Sequence, residues 1–149
     1  LATPAFNSGL ANISTSIAGL LRDSTGTMVL NLGLANHGTL NVGIANLGDY
    51  NIGFANLGSA NFGSANIGGN NIGGANTGIF DIGLANLGSY NIGFGNLGND
   101  NLGFANTGSN NIGFANTGSN NIGIGLTGDG QIGFGSLNSG SGNIGLFNS

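Results

Sequence analysis

Cysteine is absent from this 149-residue chain, and with it go disulfides, thiolate metal sites and thiol catalysis, although the redox compartment stays open. Lysine is absent too. The net charge of −4 comes from Asp23, Asp49, Asp81, Asp100 and Asp129 against the lone Arg22, so the basic footprint of a nucleic-acid binder is excluded. No apolar run is long enough to cross a bilayer as a helix, because Gly and Asn interrupt every few positions. The first residues lack the charged start and apolar core of a signal peptide, so an export address is expected to lie outside this sequence.

What the chain has instead is glycine, 33 residues of it, beside 39% hydrophobic and only 4% charged residues. Gly-rich disordered segments are usually poor in apolar residues and rich in charge. Here the apolar residues keep a strict period, which points to a repeat array that buries surface by stacking one unit on the next. The stretch Asn101–Gly123, NLGFANTGSNNIGFANTGSNNIG, shows the unit: ten residues, used twice almost unchanged. Within the ten lies a beat of five. Gly falls on every fifth position from Gly33 through Gly133, and Asn keeps the same beat from Asn31 to Asn121 with Asp81 as the one substitution.

Each place in the unit has its own chemistry. The second holds Leu32, Val42, Ile52, Phe62, Ile72, Ile82, Ile92, Leu102, Ile112, Ile122 and Ile132, and the fourth is mostly Phe, Leu or Ile. Two apart, they share one face of a strand. The fifth place is Ala or Gly, the seventh mostly Leu, Ile or Thr, and the ninth and tenth largely Ser, Asp, Asn or Tyr. The pattern predicts two short strands per coil with their apolar places inward, a tight small-residue corner and a polar turn. Gly on the beat supplies positive φ or close approach of neighbouring backbone. Asn at the first and sixth places would stack coil upon coil and hydrogen-bond along the axis, as in the amide ladders of cross-β assemblies.

The predicted fold is therefore all-β: an elongated right-handed β-solenoid of pentapeptide or decapeptide repeats. Ten residues per coil is favoured, with a four-sided coil of twenty as the alternative. At ten, Phe94, Phe104 and Phe114 should lie one above another inside the core, as should Ile92, Leu102, Ile112 and Ile122, in about ten or eleven coils stacked about 4.8 Å apart. Residues 1–30 depart from the beat and read as a cap or spacer, and 31–149 as the tandem-repeat solenoid. In the cap, Asn7–Asn12 imitates a repeat one residue out of phase. Ile13, Ile17, Leu20 and Leu21 then have helical spacing, with Asn12 or Ser14 placed to cap a short helix that would cover the open end of the stack. Arg22–Gly26 reads as a polar turn, and residues 27–30 as a strand leading into the first coil.

Candidate chemistry is soon exhausted, and no catalytic, cofactor-binding or metal-binding residue is assigned. His37, the single histidine, occupies an apolar seventh place without partners for base catalysis. The Asp residues fall in separate units, so no carboxylate pair suits acid–base work or glycoside hydrolysis. The Asp-bearing pattern of calcium β-rolls is missing, its places being taken by Asn. Gly123-Ile124-Gly125 and its kin lack the strand, helix and Lys of a phosphate cradle. Thr107, Thr117 and Thr127 form a rank of the kind that ice-binding solenoids display, and pentapeptide helices that mimic DNA are a further class. Both are minor alternatives here, the second because Asp is too sparse for mimicry.

The units N-I-G-F-A-N-L-G-S and N-I-G-F-G-N-L-G-N and the closing G-N-I-G-L-F-N-S resemble the major polymorphic tandem repeats of mycobacterial PPE proteins, and residues 17–23, IAGLLRD, are similar to the spacers between blocks of those repeats. The resemblance covers essentially the whole chain. The family's helical Pro-Pro-Glu domain, used in type VII secretion, is not in this sequence, where Pro4 is the one proline. What the resemblance implies is a C-terminal repeat region of a longer protein, exported to the cell envelope or surface, without catalysis or cofactor, acting as a structural and interaction module toward an envelope component or a host receptor. A part in outer-membrane nutrient uptake is the alternative, and end-to-end self-association is open. The chain is also similar to the general pentapeptide repeat, whose A-N-L-x-x unit appears as Ala45-Asn46-Leu47-Gly48-Asp49. The specificity of such a module would be encoded where the repeat is irregular, in residues 60–80 and the tail after Leu137.

Overall fold

A computed structural model describes residues 7–8, 30–135 and 140–145. The expected cap helix, the turn after it and residues 27–29 of the expected leading strand lie outside the described residues. The chain divides into two compact units, Leu1–Gly74 and Ala75–Ser149. Both are built as a parallel β-solenoid, and among the described residues there is no α-helix.

In the first unit the strands Asn31–Leu34, Val42–Ile44, Ile52–Phe54, Phe62–Ser64 and Ile72–Gly74 pair in parallel, each residue with the one ten positions on. Asn7 and Ser8 pair with Asn31 and Leu32 at the open edge of this sheet. A second sheet contains Leu57–Ser59 and Ile67–Gly69, approached through the bridges His37 to Leu47 and Leu47 to Leu57. The irregular segment from residue 60 thus keeps its strands and changes only what they display.

The second unit repeats the construction. Ile82–Leu84, Ile92–Phe94, Leu102–Phe104, Ile112–Phe114, Ile122–Ile124 and Ile132–Phe134 form one parallel sheet, and Thr77–Ile79, Leu87–Ser89, Leu97–Asn99, Thr107–Ser109 and Thr117–Ser119 the other. Phe104 pairs with Phe94 and with Phe114, which establishes ten residues per coil and rules out the twenty-residue alternative.

The register is as expected; the facing is not. Phe94, Phe104 and Phe114 are stacked at the coil spacing but are 42–49% exposed, and Ile92, Leu102, Ile112 and Ile122 stand beside them at 44–48%. The buried places are the first and sixth. Asn31 through Asn121 on the beat, and Asp81, retain at most 1% of their surface, and Leu126 is the one buried large hydrophobic residue among those described. The inward-facing apolar core expected for the second and fourth places is therefore replaced by an amide core, with the apolar side chains turned out.

A coil of ten residues is too narrow for two facing large side chains, and a single one such as Leu126 enters only where it replaces a ladder Asn. Asn31 at the first place donates from Nδ2 to the carbonyl of Gly38 at 2.8 Å, so one short side chain crosses the interior to the opposite side of the coil. Two opposed Phe or Ile side chains need the roughly 10 Å that separates packed sheets. Asn fits the space and also meets the hydrogen-bonding demand of the backbone enclosed there. Closing the coil requires left-handed corners, and these fall at the fifth and tenth places. Ala105 and Ala115 have φ of 54° and 53°, and Tyr50, Phe80 and Tyr90 have φ of about 60° as well. The small-residue corner expected at place five is present. The expected polar turn at nine and ten is instead a strand end followed by a second corner that also takes aromatic residues.

Candidate interaction faces

Two outward faces and one interior ladder are what the fold offers for chemistry. Inside, each Asn acts as a three-way clip. Asn101 donates from its backbone N–H to Asn91 Oδ1 at 3.1 Å, and from Nδ2 both to that oxygen at 3.1 Å and to the Gly108 carbonyl at 2.9 Å. Its own Oδ1 accepts the N–H of Asn111 at 3.0 Å. The sixth-place column does the same through Asn86, Asn96 and Asn106. The expected amide stacking is thus present, and it occupies both hydrogen-bonding ends of the side chain, leaving these Asn residues structural.

Asp81 is the one acid in the ladder. Its Oδ1 accepts the backbone N–H of Asn91 at 2.8 Å and the side-chain amide of Asn91 at 3.0 Å. Its second oxygen takes the place that an amide nitrogen has elsewhere in the ladder, where that nitrogen donates to a Gly carbonyl, as Asn91 does to Gly98 at 2.8 Å. A carboxylate has no hydrogen to give there. Burial pushes the Asp81 pKa above its ordinary 3.8, against the lowering effect of the two Asn91 hydrogen bonds. Because the folded-state pKa is the higher one, the contribution of this group to stability is fully present below the unfolded value and is lost as pH rises through the folded value. The Asp81→Asn variant is therefore expected to melt above the parent at pH 7, with the gap closing below about pH 4. Thermal melts of the two proteins across that range check this; an equal or lower melting temperature for Asp81→Asn at neutral pH would contradict it.

The first face is made by the second and fourth places. In the second unit it runs Ile82, Leu84, Ile92, Phe94, Leu102, Phe104, Ile112, Phe114, Ile122, Ile124, Ile132 and Phe134, with no polar or charged residue among them. The rings stack along the coil direction, Phe94 on Phe104 at 5.0 Å between centroids and Phe104 on Phe114 at 5.1 Å. In the first unit the fourth place begins as Leu34, Ile44 and Phe54 and then becomes Ser64 and Gly74. The second face carries the seventh and ninth places. Thr107, Thr117 and Thr127 are in register and exposed there, beside a polar edge in which the Ser89 N–H donates to Asn99 Oδ1 at 2.9 Å and the Ser119 N–H to Asp129 Oδ1 at 2.7 Å.

His37 is an exposed residue at the start of this second sheet. Among the described residues no three of His, Cys, Asp or Glu come together. Asp49 accepts from the backbone N–H and hydroxyl of Thr39 at 2.8 and 2.7 Å, and so serves the coil before it. No helix among the described residues is long and apolar enough to cross a membrane, which says nothing of strands.

The profile of the family described as pentapeptide repeats (8 copies) matches residues 25–68, 60–101 and 90–134. The chain belongs to the pentapeptide-repeat family. Neither the curated proteins nor the solved structures gave a match. As a pentapeptide-repeat solenoid the protein is a structural repeat module. The apolar face is not what the sequence pattern predicts, because strand alternation combined with a preference for burial assigns those side chains to the core. One signal points the other way: the Asn and Gly places hardly vary, while the second and fourth places pass through Leu, Val, Ile, Phe, Ser and Gly within one chain. Interior places that must make identical bonds in every coil tolerate less variation than a surface.

Proposed function

We propose that this pentapeptide-repeat chain is a non-catalytic structural and interaction module, the repeat region of a PPE-type protein carried to the mycobacterial envelope or surface, where its outward faces contact envelope or host components. The observation that supports the reading is the display of side chains in columns, apolar along the second and fourth places with a break at Ser64 and Gly74, and passing from Leu and Ile to Thr107, Thr117 and Thr127 along the seventh, while every ladder Asn is committed to the interior. A scaffold that spends its polar chemistry on holding itself together has only its surface to act with. The tandem-repeat resemblance of the N-I-G-F-A-N-L-G-S units supplies the cellular setting.

Two measurements test this. Antibody labelling and protease treatment of intact mycobacteria expressing the full-length protein should reach the repeat region, and labelled protein should bind envelope fractions or host cells better than a variant with its outward polar places scrambled. A repeat region that stays protected inside the cell, or equal binding by the scrambled variant, would overturn the proposal.

A further inference from the structure

The apolar face of the second unit is larger than a solvent-facing surface ordinarily is. The biggest contiguous apolar patch on a monomer is roughly 300–600 Å². Here four half-exposed phenylalanines contribute on the order of 400 Å², and the eight aliphatic residues beside them are 39–49% exposed. Together they bring the face to about the 800 Å² per partner of a standard interface.

We propose that this face, Ile82 to Phe134, is covered by the same face of a second copy of the chain. Three features favour that occupant. First, none of the second- and fourth-place side chains is charged, so face-to-face pairing brings no like charges together, and the exposed acids Asp100 and Asp129 stand at tenth and ninth places, off the face. Second, the partner's face has the same coil period, so every rung of one copy finds a rung of the other. A two-fold axis parallel to the coil stack sets the Ile/Leu column of each copy against the Phe-rich column of its partner, a smaller side chain against a larger one at most rungs. That is the self-complementary arrangement of a two-fold dimer, with the spacing of packed sheets. Third, the competing occupant, a lipid surface, has little to hold it. Peripheral attachment to anionic membranes draws on Lys and Arg beside the apolar surface, and the chain contains no Lys and only Arg22.

The dimer does not depend on where the protein is located. Its test is the mass of the full chain in solution as concentration is raised, by sedimentation equilibrium or light scattering. The parent is expected to be dimeric at micromolar concentration. The triple variant Phe94→Thr, Phe104→Thr, Phe114→Thr is expected to weaken association by about 100-fold or more, with the strand signal in circular dichroism unchanged. A small hydroxyl side chain is already accommodated at the equivalent strand position in Ser64. The control Leu87→Thr, Leu97→Thr, on the other face, should leave the dimer intact. Should the triple variant lose its strand signal, Phe104→Lys, a single charge in the middle of the face, takes its place with the same expectation. A parent that is monomeric at 100-fold higher concentration, a dimer that survives Phe104→Lys, or one that dissociates in the control would overturn the proposal. So would a monomer that floats with neutral phosphatidylcholine vesicles, which would assign the face to lipid.

Discussion

A β-carbon at Gly103 is expected to abolish the coil that contains it, and Gly103→Ala should suffice. An ideal Cβ there lies 1.9 Å from the carbonyl oxygen of Gly113 and 2.9 Å from its carbon. Both are backbone atoms of the next coil, held in register with Gly123 beyond, so there is no flexible side chain to move aside. The backbone at Gly103 also has φ of 131°, a region that only glycine occupies at ease. Strain of that kind alone costs about 1–3 kcal/mol, and the clash adds to it. The substitution thus belongs among the rare ones costing more than about 4 kcal/mol. Gly95 is the control. It sits at a fifth-place corner with φ of 65° and nothing within 4 Å of where a methyl would be added, and Ala105 already holds the equivalent corner one coil on. Gly95→Ala should stay within about 1 kcal/mol of the parent. Melting followed by far-ultraviolet circular dichroism compares the two, and similar midpoints would mean that the coils do not approach as closely as described.

The second large effect is expected at the ladder, where the ordinary ranking of substitutions is inverted. Asn101→Ala removes the side chain that accepts from the Asn111 N–H and donates to the Gly108 carbonyl, and it leaves both groups buried with a partner gone. Each such loss costs about 1–3 kcal/mol, so a destabilisation of about 2–6 kcal/mol is expected from this one polar residue. Leu102→Ala, next to it in sequence, removes a side chain already 47% exposed. Its cost should be about 1 kcal/mol, half of what a fully buried Leu contributes. Urea titration of the two variants decides the matter. If Leu102→Ala proved the more damaging, the apolar side chains would be inside after all and the amide core would be wrong.

The glycine and asparagine beats made the solenoid, its ten-residue coil and its stacking partners legible from the sequence. A residue that recurs at a fixed interval must meet its own kind when coils stack, and so Thr107, Thr117 and Thr127, or Phe94, Phe104 and Phe114, come out paired as the period requires. The amide ladder was legible for the same reason, since Asn over Asn in successive coils can bond along the stack. The close-approach role of glycine followed from how often the chain must turn.

Which side faces in was not legible. In Ile92-Gly93-Phe94 the strand alternation reads equally well with the large residues inside or outside. The general preference for burying apolar surface chose inside, and that preference assumes a coil with room for it. Only closure in three dimensions set the width. Once ten residues and their two left-handed corners complete a turn, the facing strands lie close enough for a single Asn amide to bridge them, as Asn101 does to Gly108. Isoleucine and phenylalanine are then left on the surface because the interior, lined coil after coil by amides bonded to backbone, has no volume for facing columns of them; a large side chain goes in only where it takes the place of a ladder Asn, as Leu126 does.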